Sequence, residues 1–299
     1  MSLMKNIEIV NVGYLSNKLA PYYELLKPRL SFLVSFSAAF GFLLGTKGIP
    51  DLFILLMLSL GSFFISGSAV TINQIIERNL DALMKRTLQR PIPTSKVTHQ
   101  EASIFGAVVF AIGVFFVAYY TNSFAVMLAI SSLIIYAFMY TPLKRVGPIA
   151  VFVGAIPGAL PPLIGWVAAT GTLSYEAWII FGIQFIWQFP HFWAIAWVSD
   201  DDYKKAGFKL LPSSGKKDLN TAINIMVYTL FLLPLGLLPT YFGLTGLNSG
   251  IIATCCGALF LAQTFQLMKD NSQKSALRIM FGSFIYLPIV QISYLLDKL

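Results

Sequence analysis

Residues 52–93 have the sequence LFILLMLSLGSFFISGSAVTINQIIERNLDALMKRTLQRPIP. The first half, residues 52–72, contains no charged side chain. A helix needs ~20 such residues to cross the roughly 30 Å hydrocarbon core of a bilayer. The second half brings in amides, acids and basic residues before Pro91 and Pro93, which stop a helix. The stretch predicts a membrane helix that ends in a polar segment at one membrane surface.

The composition of the whole chain agrees with this prediction. Of the 299 residues, 57% are hydrophobic and 11% are charged, and the mean hydropathy is +0.73. Soluble domains are about 45–50% apolar and roughly 25% charged. We therefore predict an all-α membrane protein, a bundle of nine transmembrane helices. Their expected spans are 30–46, 52–72, 103–120, 123–140, 148–168, 175–198, 221–242, 249–268 and 279–296.

The basic residues predict how the bundle is oriented. If the N-terminus is cytoplasmic, 19 of the 21 Lys and Arg residues lie on the cytoplasmic side, and only Lys47 and Lys298 lie outside. This asymmetry follows the positive-inside rule. The net charge of +8 then reflects topology and contact with anionic lipid, and nucleic acid is not an expected partner.

The N-terminal sequence predicts where the chain resides. It has neither the apolar core of a secretory signal nor the Arg-rich, acid-free character of a transit peptide. We expect a bacterial inner membrane and an active site that faces the cytoplasm. Residues 1–28 are expected to form a cytoplasmic segment, and residues 29–299 a single transmembrane domain.

Three oxygen-bearing side chains follow the apolar run at helical spacing. Asn73, Glu77 and Asp81 are four residues apart, which places them on one side of a helix. Acids at a membrane boundary usually face a cavity or a cation, and oxygen ligands of this kind suit Mg²⁺. We predict a metal site here. The alternative is that these residues are ordinary interfacial charges at the end of the helix.

Basic residues accompany these ligands. Arg86 and Arg90 follow in the same loop, and Lys144 and Arg145 belong to the sequence YTPLKR. Guanidinium groups and a metal ion together suit a polyanion such as pyrophosphate. The alternative is a positive-inside anchor, which would account for the basic residues but not for the acids.

A second loop repeats this pattern. The sequence WVSDDDYKKAG at residues 197–207 places Asp200, Asp201 and Asp202 ahead of Lys204 and Lys205. Neighbouring helical residues diverge by about 100°, so only one or two of these acids can bind one ion. The two loops together predict a diphosphate and metal pocket.

These motifs resemble a known family. The sequences NQIIERNLDALMKRTLQRP at 73–91, YTPLKR at 140–145, GALPPLIGW at 158–166, WQFPHFWAIAW at 187–197 and DDYKKAGFKLLP at 201–212 are similar to those of the UbiA superfamily of intramembrane prenyltransferases. The resemblance covers roughly residues 25–295. Glu77, where aspartate is usual, and the WQFPHFW block are typical of the branch that acts on haem. The stretch VGPIAVFVGAIPGA departs from related sequences, which often have Thr and Asn there.

The resemblance implies roles for particular residues. Asn73, Glu77 and Asp81 would form the first motif for Mg²⁺ and diphosphate, and Asp201 and Asp202 the second. The implied reaction transfers a farnesyl group from farnesyl diphosphate to a vinyl group of haem b, with addition of water, to give haem O and diphosphate. Haem A synthase would be a downstream partner. The implied diphosphate contacts are Arg86, Arg90, Lys144, Arg145 and Lys205.

A histidine in an apolar run, His191, is the expected acceptor-site residue, together with Trp187 and Trp193 of the same run. His191 lies among aromatic residues of the sixth predicted helix, and an intramembrane histidine is a functional hypothesis by default. Its imidazole could ligate haem iron or hydrogen-bond a propionate; a hydrogen-bonded core histidine is the alternative. An allylic carbocation also needs aromatic faces around it. Those available are Trp187, Phe189, Phe192, Trp193 and Trp197 on the sixth helix and Tyr136 and Tyr140 on the fourth.

Other functions fit parts of the pattern. The same fold could prenylate a quinone precursor or another aromatic acceptor. A cation-coupled transporter is a more distant alternative, because the acids cluster at one membrane surface and the helices show no obvious inverted repeat. A structural scaffold would have no use for two acidic motifs with adjoining basic residues.

Overall fold

The computed structural model describes residues 18–299, without the side chain of Ser214. In that part of the chain, nine helices are long and apolar enough to cross a membrane, which confirms the predicted fold class. The orientation of the bundle stays a prediction, and residues 1–17 of the expected N-terminal segment lie outside the described residues. The helices are α1 (Pro28–Gly45), α2 (Leu52–Ile76), α3 (His99–Tyr120), α4 (Ser123–Leu143), α5 (Ile149–Thr170), α6 (Tyr175–Val198), α7 (Leu219–Tyr241), α8 (Leu247–Asp270) and α9 (Gln273–Leu296).

Two helices begin at least one helical turn before their apolar runs. Helix α3 starts after Thr98, whose hydroxyl accepts a hydrogen bond from Glu101 N at 3.2 Å while the Glu101 carboxylate accepts one from Thr98 N at 2.8 Å. This reciprocal capping box satisfies backbone groups that would otherwise be unpaired. Helix α9 starts after Ser272, which caps it through Ser275 N. Polar caps therefore extend both helices beyond the residues that hydropathy identifies.

The backbones of helices α1 and α5 approach each other so closely that only glycine fits at two of the contact points. A Cβ atom added at Gly41 would lie 1.9 Å from the carbonyl oxygen of Pro162, and one at Gly165 would lie 1.8 Å from that of Ala38. No side chain fits at either position. Close backbone approach at glycine is a common way for membrane helices to associate, and it makes this pair a rigid part of the bundle.

Six of the helices surround an apolar chamber. Helices α1, α2, α4, α5, α6 and α9 line it. Helix α3 packs against α2, and α7 and α8 pack against α6 and α9 respectively. The chamber therefore lies between helices of the bundle.

Two long connections meet at one end of this bundle. The backbone N–H of Arg86, between α2 and α3, donates to Asp202 Oδ2 at 3.1 Å, and Asp202 lies between α6 and α7. Lys209 N donates to Lys144 O at 2.9 Å. Leu25, in helical residues 18–25, packs against the first connection. These contacts bring the charged segments together over the ends of α2, α4 and α6.

Candidate active site

A polar cavity of about 130 Å³ lies where residues 73–93 leave the apolar part of α2. The segment before α1, the end of α4 and the connection after α6 complete its walls. Half of the lining side chains come from the stretch that predicted this polar site. The lining residues are Lys27, Asn73, Glu77, Asp81, Met84, Arg86, Arg90, Tyr136, Tyr140, Lys144, Tyr203 and Phe208.

The three predicted metal ligands of this stretch share the cavity, although the helix beneath them is interrupted. Helix α2 ends at Ile76, and Glu77 has φ −90° and ψ 6°. A short helical turn, Arg78–Asp81, follows, and Asp81 N donates to Glu77 O at 2.8 Å. Because this turn nearly continues the helical path, Asn73 lies on the same side as both acids.

Two buried ion pairs organise the acids. Arg90 Nη1 lies 2.6 Å from Asp81 Oδ2, and Lys144 Nζ lies 2.8 Å from Glu77 Oε1. The two carboxylate side chains are 0% and 5% exposed, so their charges require such partners.

The environment shifts the pKa values of two members of these pairs. Burial raises the pKa of Asp81, and Arg90 opposes that rise. Burial alone would lower the pKa of Lys144, but the Glu77 carboxylate beside it reverses the shift, so that the pKa is raised. Lys144 therefore stays charged next to Glu77.

The oxygen atoms in the cavity fit a hard divalent cation. Asp81 Oδ1 is buried and has no hydrogen-bond partner in the described residues. Asn73 donates through Nδ2 to Thr141 Oγ1 at 3.0 Å, which leaves its Oδ1 available as a ligand. Within residues 18–299 no group of three or more His, Cys, Asp or Glu side chains could hold a metal. One or two carboxylates with additional oxygen atoms are nevertheless the usual protein contribution to Mg²⁺, which completes its shell with water and phosphate.

Lys27 is a cavity residue that the sequence analysis missed. It directly precedes Pro28 at the start of α1 and has φ 43°. Burial lowers its pKa to about 7, and the positive charges of Arg90, Lys144 and Arg86 add to this shift. Four basic side chains around so small a cavity indicate an anionic ligand. From sequence, Lys27 contributed only to the orientation.

The second acidic motif lies outside the cavity lining. The Asp201 side chain is 93% exposed. Asp202 accepts hydrogen bonds from Arg86 N at 3.1 Å and Lys205 Nζ at 3.2 Å. Asp200 is buried and pairs with Lys204. The role of Asp201 and Asp202 as metal ligands therefore stays a prediction.

Aromatic residues of the same connection do reach the cavity. Tyr203 and Phe208 line it, and neither was predicted. Lys144 Nζ lies 4.8 Å from the centroid of the Tyr140 ring and 5.6 Å from that of Phe208.

Arg145, which follows Lys144 in the chain, is exposed and does not line the cavity. The pattern LKR thus contributes one cavity residue of the two predicted.

The apolar chamber adjoins the polar cavity. The chamber has a volume of about 400 Å³ and shares Tyr136 and Tyr140 with the cavity. Both tyrosines lie in a π-helical segment of α4, Ile135–Tyr140, and short π-helical segments often occur at functional sites. A ligand with a charged head and an apolar tail could occupy both spaces at once.

Two of the three predicted acceptor residues line the apolar chamber, and the third does not. Trp187 and His191 line the chamber, and their rings are stacked with centroids 4.4 Å apart. Trp193 does not line it and instead packs against Phe189 and Tyr228. Of the other aromatic residues predicted on α6, Phe192 lines the chamber whereas Phe189 and Trp197 do not.

Ser283 of α9 fixes two of the chamber residues. Its carbonyl oxygen accepts a hydrogen bond from Trp187 Nε1 at 3.1 Å, and its Oγ lies 2.8 Å from His191 Nδ1. Three glutamines, Gln184, Gln188 and Gln291, also line the chamber, and the sequence analysis did not single them out. An isolated glutamine in an apolar run carries no spacing signal.

The two joined cavities define a class of protein. It is a multi-pass membrane protein with a candidate site that is polar at one end and apolar beyond it, a shape that suits an amphipathic anion. Comparison with known proteins identifies the family: residues 34–287 match the model of the UbiA prenyltransferase family. The chain belongs to this family.

Individual relatives agree with that assignment. The chain is 52% identical to the protoheme IX farnesyltransferase of Cytophaga hutchinsonii over 285 residues, which is 95% of this chain and 100% of the relative. It is 42% identical to the protoheme IX farnesyltransferase of Christiangramia forsetii, over 99% and 98% of the two chains. These similarities extend over almost the full length of each chain.

Solved structures share the fold at lower identity. A digeranylgeranylglyceryl phosphate synthase structure superposes with a TM-score of 0.77 at 21% identity, over 94% of this chain and 98% of that one. A UbiA homologue from Archaeoglobus fulgidus bound to GPP and Mg²⁺ superposes with a TM-score of 0.66 at 17% identity, over 92% and 99%. The nine-helix architecture is therefore that of the family.

Proposed function

We propose that this protein transfers a farnesyl group from farnesyl diphosphate to a vinyl group of haem b, with addition of water, and releases haem O and diphosphate. The observation that carries the proposal is the junction at Tyr136 and Tyr140, where a cavity lined by four basic side chains meets an apolar chamber. This arrangement suits a prenyl diphosphate. The choice of haem as acceptor rests on the relatives, which are protoheme IX farnesyltransferases.

The basic residues of the polar cavity hold the diphosphate in this proposal. Arg86 and Arg90 offer planar donor pairs that match phosphate oxygens, and Lys27 and Lys144 add point charges. Arg90 and Lys144 already contact Asp81 and Glu77, so the anion and the acids share these cations. Arg145 and Lys205 lie outside the lining and contribute attraction at longer range.

Asn73, Glu77 and Asp81 are the residues that would hold Mg²⁺. When bound, Mg²⁺ neutralises charge that develops on the departing diphosphate. Asp202 is proposed to act mainly through its hydrogen bond to Arg86 N, which holds the loop that carries Arg86. The Asp201 side chain is exposed and is proposed to contribute less, and the metal contact that the family resemblance implies for both acids stays a prediction.

Ionisation of the substrate takes place at the junction of the two spaces. The carbon–oxygen bond to diphosphate breaks, and its electron pair leaves with the phosphate, where the basic side chains stabilise the charge. The rings of Tyr136 and Tyr140 lie beside the allylic cation and stabilise it through their π faces. The mostly apolar walls of the chamber limit the access of bulk water to that cation.

The acceptor is proposed to present its vinyl group beside Trp187 and His191. Both line the chamber and are held by Ser283, which gives them fixed positions. Trp193 supports α6 from the other side, through Phe189 and Tyr228. We propose that the protein lies in a bacterial inner membrane with the polar cavity toward the cytoplasm. Haem A synthase is proposed as the enzyme that consumes the product.

A conversion assay tests this proposal. Purified protein in detergent is incubated with Mg²⁺, farnesyl diphosphate and haem b, and the haem is followed by mass spectrometry. The expected product gains one farnesyl group and one water, and the gain disappears with EDTA. Unchanged haem under conditions where the protein consumes farnesyl diphosphate would refute the choice of acceptor.

A further inference from the structure

Gln188 is a buried amide without a protein partner. The residue is 5% exposed and lines the apolar chamber, yet its side chain makes no hydrogen bond to any residue between 18 and 299. Gly158 provides the space for it, because a Cβ atom at that glycine would lie 2.6 Å from Gln188 Nε2. A buried polar group that stays unpaired carries a cost, which a bound ligand or water would remove.

Gln184, one turn earlier on α6, is an amide in the same chamber whose hydrogen bonds are satisfied. It is 4% exposed, donates to Gly158 O at 2.7 Å and accepts from Gln291 Nε2 at 2.9 Å. Its role is to connect α6 with α5 and α9. Gln188 has the same side chain and similar burial but lacks these bonds, so a structural role of that kind does not explain it.

The hydrogen bonds around His191 define which of its ring nitrogens is free. The Ser283 hydroxyl donates to Met280 O at 2.6 Å. Since that hydroxyl has one proton, it accepts from His191 Nδ1, which lies 2.8 Å away. On this basis we assign the imidazole proton to Nδ1, which leaves Nε2 with a lone pair. No hydrogen bond to Nε2 comes from the described residues, and His191 lines the chamber.

Gln188 and His191 are three residues apart on α6, and side chains at this spacing lie on the same side of a helix, about 5–6 Å apart at Cβ. Their free polar atoms can therefore contact one small molecule between them. We propose that Gln188 and His191 hold the water that becomes the hydroxyl group of the product. This inference rests on the proposed function, because only a reaction that adds water across a vinyl group needs such a site.

The step balances without any further reactant. The π electrons of the vinyl group form the new bond to the farnesyl carbon, which leaves a cation on the vinyl carbon next to the porphyrin. The water oxygen donates a lone pair to that carbon, and His191 Nε2 takes the proton that the water loses. Gln188 hydrogen-bonds the water and orients it. If no water is held there, the cation loses a proton instead, and the product is lighter by one water.

The test compares Gln188→Met with Gln184→Met. Each variant is incubated with farnesyl diphosphate, Mg²⁺ and haem b in isotopically labelled water, and the hydrated and dehydrated products are separated by mass spectrometry. We expect Gln188→Met to fold as well as the wild type and to raise the ratio of dehydrated to hydrated product by about tenfold, the factor for one ordinary hydrogen bond. Gln184→Met should melt at a lower temperature and keep the wild-type ratio.

Three outcomes would overturn the inference. They are an unchanged product ratio in Gln188→Met, an equal change in both variants, and loss of both products in a Gln188→Met protein that still binds haem. The last result would mean that Gln188 is needed before water addition. If the wild type itself fails to farnesylate haem, the proposed function has failed, which separates that result from failure of the water site alone.

Discussion

Asp81 and Arg90 form a buried ion pair in which only one carboxylate oxygen is used. Arg90 Nη1 contacts Asp81 Oδ2 at 2.6 Å, whereas Oδ1 is buried without a hydrogen-bond partner in residues 18–299. Asp81 thus combines a fixed position with a free hard oxygen. Both properties are what a metal ligand beside a diphosphate requires.

Asp81→Asn tests this assignment. The amide keeps the shape and can still accept from Arg90, but it removes the charge that would bind Mg²⁺. We expect the rate of haem farnesylation to fall by about 10²–10³, as when one electrostatic stabiliser is lost. A useful control combines Asp81→Asn with Asn79→Asp. This double variant returns a carboxylate to the same short turn but not to position 81. Wild-type turnover by Asp81→Asn at limiting Mg²⁺ would contradict the metal assignment.

Lys27 should make diphosphate binding depend on pH. Its pKa is lowered to about 7 in the protein without ligand, so it carries its charge below that pH and loses it as the pH rises above. We expect the affinity for farnesyl diphosphate to fall by roughly tenfold between about pH 6 and pH 8, the size of one charge-assisted hydrogen bond. Binding is measured by equilibrium titration in detergent.

Two variants separate this effect from ionisation of the ligand. Lys27→Arg remains charged throughout, so its titration curve reports the ligand alone. Lys27→Met has no charge at this position, so it should bind farnesyl diphosphate weakly at every pH in this range. A wild-type curve that coincides with that of Lys27→Arg would show that Lys27 does not sense the pH.

Asp201 and Asp202 provide a matched pair in the second acidic motif. Asp202 holds Arg86 N, whereas the Asp201 side chain is 93% exposed. Removing the Asp202 side chain frees the loop that carries Arg86, so Asp202→Ala should raise the KM for farnesyl diphosphate by about tenfold. Asp201→Ala should change it much less. If the two variants lose activity to the same extent and both need more Mg²⁺, then both acids are metal ligands, as the sequence predicted.

Gly41 and Gly182 test the packing of α1 against α5. An alanine methyl group at Gly41 would lie 1.9 Å from a backbone oxygen, whereas one at Gly182 meets nothing within 4 Å. Gly41→Ala should destabilise the protein by about 1–3 kcal/mol or more, and Gly182→Ala should be neutral or stabilising by up to ~1 kcal/mol. Melting temperatures in detergent decide the matter. Equal values for the two variants would show that the α1 and α5 backbones can separate at little cost.

Much of this architecture is predictable from sequence because lipid imposes simple rules. Apolar runs of sufficient length must become helices, since an unpaired backbone group is costly in a bilayer. All nine predicted helices are present in the described residues. Spacing alone placed Asn73, Glu77 and Asp81 on one side, and the three line one cavity even though α2 ends before Glu77.

What sequence could not provide depends on packing between distant segments. Lys27 enters the cavity because α1 starts beside the end of α2, and nothing in its own neighbourhood indicates this. The two adjacent basic residues of YTPLKR differ in role because only Lys144 points inward. Gln188 is distinguished from Gln184 only by which carbonyl and amide groups α5 and α9 bring near. Such pairings require coordinates.

The choice of acceptor is the central claim, and a competition experiment tests it most directly. Wild-type protein is given Mg²⁺, farnesyl diphosphate, haem b and an aromatic acid acceptor together, and both acceptors are analysed by mass spectrometry after the same time. We predict that haem b gains one farnesyl group and one water while the aromatic acid stays unchanged. Farnesylation of the aromatic acid with unchanged haem would contradict the claim.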